Sequence, residues 1–289
     1  MPYSHYGEIG DVWKHLPLCF FLTEEKPTVN IESNSAYPIY RLNQTDERNY
    51  GVFHLFEQVS NSDRYVNIES SPYLQILKKI PGNQETLQTY LGSPGLALEI
   101  LKDRGQFIFC DIEADPLQNI MDYVRQIHLD NRVKTVQGDS KDRLWHEIEN
   151  MGKETFLHID PYRIFEKNAN DRCYFDLFIR AINRGIKTML WYGYETLKEQ
   201  KEMHAKMREA LGNSDIELLG IDFYIEGICD SVVEVNPGVP GCGIMIANLS
   251  GPSFEKFKQY ANELEAIYQN AWYQNKPARL KSVQVNLKG

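Results

Sequence analysis

Gln106-Phe-Ile-Phe-Cys-Asp111, followed by Leu117, Ile120, Met121, Val124 and Ile127 at helical spacing, decides the fold. The first run is a short apolar strand closed by an acid, and the second places one apolar stripe along a helix from Asp115 to Leu129. The same alternation continues downstream. Strands are expected over Arg132 to Val136, Phe156 to Asp160 and Lys187 to Tyr192, with helices over Asp142 to Met151, Tyr174 to Ile182 and Glu195 to Leu211. Two further strands, Ile216 to Tyr224 and Gly243 to Leu249, precede a long helix from Ser253 to Tyr273. Strands alternating with helices give an α/β fold whose largely parallel sheet is covered on both faces.

Upstream the pattern changes. Pro27 to Ile31 reads as a strand running into Glu32-Ser-Asn-Ser. Arg41 to Gly82 is polar and does not alternate, although short patches such as Tyr73 to Lys79 are helical. It reads as a small helical insertion between the first strand and its crossover helix near Pro94 to Leu101. The expected organisation is an N-terminal segment with the first strand (1–40), a helical insertion subdomain (41–90) and the remainder of the sheet domain (91–289). The tail from Ala271 reads as strand-poor, with Lys276, Arg279, Lys281 and Lys288 and no acid.

The chain has 289 residues, of which 42% are hydrophobic and 25% charged. Those values suit a globular protein and exclude a disordered or collagen-like one. The longest apolar run, Leu16 to Leu22, is far short of the roughly 20 residues that span a bilayer. The start lacks the pattern of a secretory leader, and the five cysteines form no CxxC pair. A cytoplasmic setting with no metal and no membrane is the expectation. A net charge of −9 is unusual for a bulk nucleic-acid binder and leaves room only for a local basic track.

Ligands of open parallel sheets bind at the carboxyl ends of the strands. Asp111, Gly138-Asp139 and Asp160-Pro161-Tyr162 fall at three such ends. An acid there is usually a turn residue or a helix cap. Three on consecutive strands form a pattern, and a carboxylate suits a pair of ribose hydroxyls. The GxGxxG and GxxxxGK[ST] phosphate loops are absent. Acids without a pyrophosphate loop fit a nucleoside lacking phosphates, such as S-adenosylmethionine. Asp-Pro-Tyr suits amine methylation: the carboxylate and its neighbouring carbonyl would take an exocyclic amine while the aromatic stacks on an unstacked base. Against this, Pro161 simply stops the strand and Tyr162 covers a helix end. In His5-Tyr-Gly-Glu-Ile-Gly-Asp-Val-Trp-Lys-His15, Asp11 is expected to cap a helix running to Phe21, and His15 is either a core histidine or a ligand. Trp191 and Tyr192 could flank a planar ligand, or simply pack.

These motifs occur together, in this order, in one family. The chain resembles the RlmJ-type ribosomal RNA adenine-N6 methyltransferases of bacteria, nearly end to end. Gly10-Asp-Val-Trp-Lys-His15 is similar to that family's A-D-V-L-K-H, and Glu32 to Tyr40 falls on its D-T-H-A-G-A-G-x-Y. Tyr90-Leu-Gly-Ser-Pro94 resembles its Y-P-G-S-P, Asp111 to Pro116 its E-L-H-P, and Ile159-Asp-Pro-Tyr162 its I-D-P-P-Y. Leu190-Trp-Tyr192 and Gly241 to Ile246 are similar to its L-W-Y-P and S-G-M-I-V-I. The family's histidine and two glycines of the first-strand motif fall on Asn34, Ala36 and Pro38, and the second proline of D-P-P-Y is missing.

The resemblance implies a Rossmann-like class I methyltransferase sheet and S-adenosylmethionine held by His15, Asn34, Ser93, Asp111, Asp139 and Ser140. It implies Asp160, Pro161 and Tyr162 as the catalytic set, with His5, Tyr6, Lys14, Trp191 and Tyr192 toward the substrate. The expected reaction is methyl transfer to an exocyclic amine of a nucleic-acid base, adenine N6 in RNA first, with RNA as partner. The alternatives are a small-molecule or protein-side-chain methyltransferase, or a non-catalytic nucleoside- or RNA-binding relative.

Overall fold

Residues 9–25 carry an apolar face around Val12, Trp13, Leu16 and Leu22 and form helix α1 (Ile9–Glu25). In this computed structural model, which describes residues 4–84, 86–212, 216–229 and 238–285, Glu8 caps α1 instead of Asp11. The Glu8 carboxyl group accepts from the Gly10 and Asp11 amides at 2.9 and 3.2 Å. Asp11 is thereby released to bond the Gly7 amide at 2.9 Å and to face Lys14. Trp13 is fully buried, stacked on Phe257 and edge-on to Phe223. Burial of one such side chain is worth roughly 1.5–3 kcal/mol.

After α1 come β1 (Val29–Glu32) and β2 (Ile39–Arg41). The insertion follows, with helices α2 (Asp46–Arg48), α3 (His54–Ser60), α4 (Val66–Glu69) and α5 (Pro72–Lys79). Strand β3 (Thr89–Leu91) pairs antiparallel with β2, so a two-stranded neck brackets the insertion. The insertion shares one hydrophobic core with α1 and the C-terminal helix. Tyr268 also donates to the Gly51 carbonyl at 2.7 Å, and Tyr50 to that of Ala278 at 2.9 Å.

The alternating part follows the sequence pattern to within a few residues. It comprises α6 (Ser93–Leu101), β4 (Gln106–Asp111), α7 (Ala114–Gln126), β5 (Val133–Gln137), α8 (Ser140–Glu147), β6 (Thr155–Ile159), α9 (Tyr174–Ile182) and β7 (Lys187–Tyr194). Then come α10 (Leu197–Leu211), β8 (Leu218–Glu226), β9 (Gly241–Ala247) and α11 (Gly251–Ile267).

The tail departs from expectation. Helix α11 stops at Ile267, and the chain then makes a hairpin of β10 (Trp272–Tyr273) and β11 (Lys276–Pro277) before β12 (Arg279–Val285). Gln274 and Asn275 both take positive φ, 46° and 62°, the backbone of a type I′ hairpin turn. Strand β12 pairs antiparallel with β8, from Arg279 opposite Glu226 to Val285 opposite Gly220. Lys288 lies outside the described residues.

The main sheet has the order β12-β8-β9-β7-β6-β1-β4-β5. Strand β1 is parallel to β4 on one side and to β6 on the other, with Ile31 level with Ile108 and Leu157. Strand β9 runs antiparallel between β7 and β8. The fold is α/β with a mixed sheet, that of a class I Rossmann-like methyltransferase carrying one extra edge strand. The chain runs outward from β1 to β5 and then returns to β6, so strand order reverses at β1. A crevice opens at such a reversal.

Candidate active site

Four acids line the carboxyl edge at this reversal, in the order Asp160 after β6, Glu32 on β1, Asp111 on β4 and Asp139 after β5. The loop leaving β1 is tied to both neighbours. Ser33 N–H donates to the His158 carbonyl and Ser35 N–H to that of Cys110, each at 3.0 Å. Ser33 Oγ accepts from the Asp160 amide at 3.2 Å. These bonds hold the base of a cleft of about 550 Å³, within the size range of small-molecule sites.

The structure brings Asp111, Asp139, Ser140, Asn34, Asp160, Pro161 and Tyr162 together along this cleft. Asp111 accepts from the Ala36 and Glu113 amides, each at 3.0 Å, one on each oxygen. A carboxylate offers two acceptor oxygens in one plane, the arrangement that two vicinal hydroxyls need. Asp139 caps α8 through the Lys141 amide at 2.9 Å, and its other oxygen accepts from Asn168 at 3.1 Å. Asn34 and Ser140 meet on the hydroxyl of Tyr174, at 3.1 and 2.9 Å. Ala36 sits at φ 54°, a left-handed backbone where the resembling family has glycine.

Asp160, with 11% of its side chain exposed, lies against Lys14, whose Nζ donates to its Oδ2 at 2.7 Å. Burial pushes the Asp160 carboxyl up to about 6 against the pull of that ammonium. Burial alone would lower Lys14, but Asp11 and Asp160 outweigh it and hold the lysine charged. The ammonium also lies 5.4 Å from the centre of the Trp191 ring. Tyr162 packs on the backbone of Gly193, and its hydroxyl donates to Glu195 at 3.2 Å. Its ring is half-buried and borders both this cleft and a second pocket of about 450 Å³. Arg163 is exposed at the mouth of both.

Several expected residues lie elsewhere. Tyr192 is fully buried and donates to Asp222 at 2.5 Å, so it does not face a substrate. Successive strand residues point to opposite faces, and of the pair only Trp191 lies on the side of Lys14. His15 is 2% exposed, and its Nδ1 bonds the Tyr90 hydroxyl at 2.7 Å, giving it a protein partner instead of a place on the cleft wall. Burial pushes this imidazole down to about 3, so it is neutral. Ser93 reaches the crevice through another residue, donating to Glu32 Oε2 at 2.8 Å. His5 and Tyr6 line a separate, larger cavity of about 1040 Å³ with Tyr37, Arg48, Glu113 and Tyr273.

Glu32 and Tyr174 join the cleft although neither is among the site residues that the sequence suggests. Glu32 is 1% exposed, and its Oε1 is buried with no partner among the described residues. Burial pushes its carboxyl up to about 8, against the Ser93 bond, so it is protonated at neutral pH. The signal was its place as the last residue of β1. Acids at successive strand ends, an orphaned carboxyl oxygen on Glu32 and the absence of a phosphate loop suit a polar nucleoside carrying no phosphate. Among the described residues no cluster of three or more ligating side chains could hold a metal ion, and no helix is long and apolar enough to cross a membrane.

The chain is 24% identical over 227 residues to the ribosomal RNA large subunit methyltransferase J of Haemophilus influenzae, covering 72% of this chain and 74% of that protein. The crystal structure of protein LPL1258 from Legionella pneumophila superposes with a TM-score of 0.73 at 21% identity, covering 97% of each chain. The profile of the family described as "Ribosomal RNA large subunit methyltransferase D, RlmJ" matches residues 25–267. The chain therefore belongs to that family and is a methyltransferase dependent on S-adenosylmethionine.

Proposed function

We propose that this enzyme methylates the exocyclic amine of a nucleic-acid base, adenine N6 in RNA. The observation that carries the reading is the largely shielded Asp160 carboxylate at the reversal of strand order, followed by Pro161 and a half-exposed Tyr162 ring. S-adenosylmethionine supplies an activated methyl group when bound. The chain supplies position. Asp111 and Asp139 hold the nucleoside end of the cofactor, and Asn34, Ser140 and Tyr174 close the wall beside it. The Asp160 oxygen that Lys14 does not hold, together with the adjacent backbone carbonyl, accepts the two N–H bonds of the amine. The nitrogen lone pair then points to the methyl group. Tyr162 offers the stacking face for a base lifted out of its helix, a contact worth roughly 1–3 kcal/mol.

Cations at the cleft are Lys141 and Arg163. The tail does not add to them. Strand β12 is four strands from β6, roughly 19 Å at the usual strand spacing, and Lys281 faces Glu265 at 3.7 Å. The RNA-facing track is therefore local to the cleft mouth. A second reading, a small amine or protein side chain as acceptor, draws support from Asp46, Glu47, Glu113 and Asp115 around the larger cavity, which disfavour a phosphate backbone. Transfer of labelled methyl from S-adenosylmethionine to undermodified total RNA, with nucleoside mass spectrometry, separates the two. N6-methyladenosine is expected. Label in protein or small molecules with none in RNA overturns the reading.

A further inference from the structure

One more acid lies within reach of the reacting centre. Asp11 Oδ1 is 3.0 Å from Lys14 Nζ, which is at the same time 2.7 Å from Asp160 Oδ2. The three side chains are only 14, 11 and 11% exposed. Asp11 is held in place through its other oxygen by the Gly7 amide at 2.9 Å. We infer that Asp11 is a positioning residue for methyl transfer, sharing the Lys14 ammonium so that Asp160 keeps net negative charge toward the acceptor amine. The inference rests on Asp160 as the group that receives that amine.

Two carboxylates and one ammonium carry a net charge of −1. A neutral amine gains positive charge as its nitrogen takes the methyl group, and a fixed negative field in a dry site favours that change. Were Asp11 neutral, Lys14 and Asp160 would carry no net charge, and the negative field at the acceptor would weaken to that of an ion-pair dipole. The surrounding ionisable groups do not replace it. His15 on α1 and His158 on β6 are kept neutral by burial. Burial pushes Glu8, before α1, and Glu32 on β1 up to about 8, so both are protonated at neutral pH. The like charge of Asp11 also opposes ionisation of Asp160.

Asp11→Asn tests this, because an amide oxygen can still accept from Gly7 while the charge is lost. In the full chain, kcat for RNA is expected to fall about tenfold, the scale of coupling within one ion-pair network, with KM changed less than about twofold. The acid limb of the rate profile is expected to move to lower pH, and Asp11→Glu to recover most of the rate. An unchanged kcat, or a fall in kcat with the acid limb unmoved, overturns the inference. Carbon-13 titration of the Asp160 carboxyl in wild type and Asp11→Asn needs no acceptor, so it decides the charge coupling even if RNA proves not to be the substrate. A lower midpoint in the variant supports the inference, and equal midpoints overturn it.

Discussion

Lys14 Nζ lies 2.7 Å from Asp160 Oδ2, a bond across 146 residues that ties the first helix to the end of β6. Lys14 serves two carboxylates, Asp11 and Asp160, whereas Asp160 has one cation. Removing one partner of a buried pair is costly because the other is left uncompensated, about 3–5 kcal/mol. Lys14→Met strands both acids and should reach that range. Asp160→Asn leaves Lys14 paired with Asp11 and should cost about 1–3 kcal/mol, the price of an imperfect buried bond. Urea unfolding at pH 7 gives the order directly, and a larger loss for Asp160→Asn would show that Lys14 is not the shared partner. The same Asp160→Asn protein should bind S-adenosylhomocysteine normally and transfer no methyl group.

A pH effect follows from Glu32. Its folded carboxyl is pushed up to about 8 from an ordinary 4.5. The native state therefore favours the protonated form. The stability this brings is fully present below about 4.5 and is lost as pH rises toward 8. Glu32→Gln mimics the protonated carboxyl at every pH. Relative to wild type, its melting temperature should rise steadily between pH 5 and pH 8. Parallel curves for the two proteins over that interval would exclude a protonated Glu32.

The fold was legible wherever the hydrophobic period was strong. Strands β4, β6 and β7 match because each carries a buried apolar run, and α7 and α9 because each carries an apolar stripe, whereas β5 matches by its place between two helices. The tail was not legible, for two reasons. Its turn uses Gln274 and Asn275 in left-handed conformations that are usually marked by glycine. Strand β12 is an edge strand with Lys281, Ser282 and Gln284 among its apolar positions, so its period is faint. In the site, Asp111, Asp139 and Asp160 were legible as acids at strand ends. Glu32 was not, because its burial arises from β1 lying between β4 and β6, a neighbourhood that only the sheet order creates. Trp191 and Tyr192 are neighbours in sequence, but the pleat sends them to opposite faces, one toward Lys14 and the other to Asp222.

Asp111 should dominate cofactor affinity. Its two oxygens fix the Ala36 and Glu113 amides at the cleft edge. Asp111→Ala removes a charged acceptor for a hydroxyl pair, roughly 1.5–3 kcal/mol, or about ten- to a hundredfold in Kd. Calorimetric titration with S-adenosylhomocysteine measures it. A folded variant with wild-type affinity would remove Asp111 from the cofactor site.

Gly193 offers a way to move Tyr162 without altering any polar group. An added Cβ at Gly193 would lie 2.3 and 2.4 Å from two ring atoms of Tyr162, far inside van der Waals contact. The Gly193 amide also donates to the Tyr162 carbonyl at 3.1 Å, so the backbone cannot easily withdraw. In Gly193→Ala the ring must therefore leave its place between the two pockets. Cofactor binding at Asp111 and Asp139, on the far side of β1, should be unaffected. If Tyr162 supplies the stacking face, losing roughly 1–3 kcal/mol of that contact lowers kcat/KM for RNA about five- to a hundredfold. Tyr162→Phe keeps the ring and loses only the bond to Glu195, so it should retain most of the activity, whereas Tyr162→Ala should match Gly193→Ala. Wild-type turnover by Gly193→Ala and Tyr162→Ala, in proteins that bind S-adenosylhomocysteine normally, would show that the acceptor is not held by this ring.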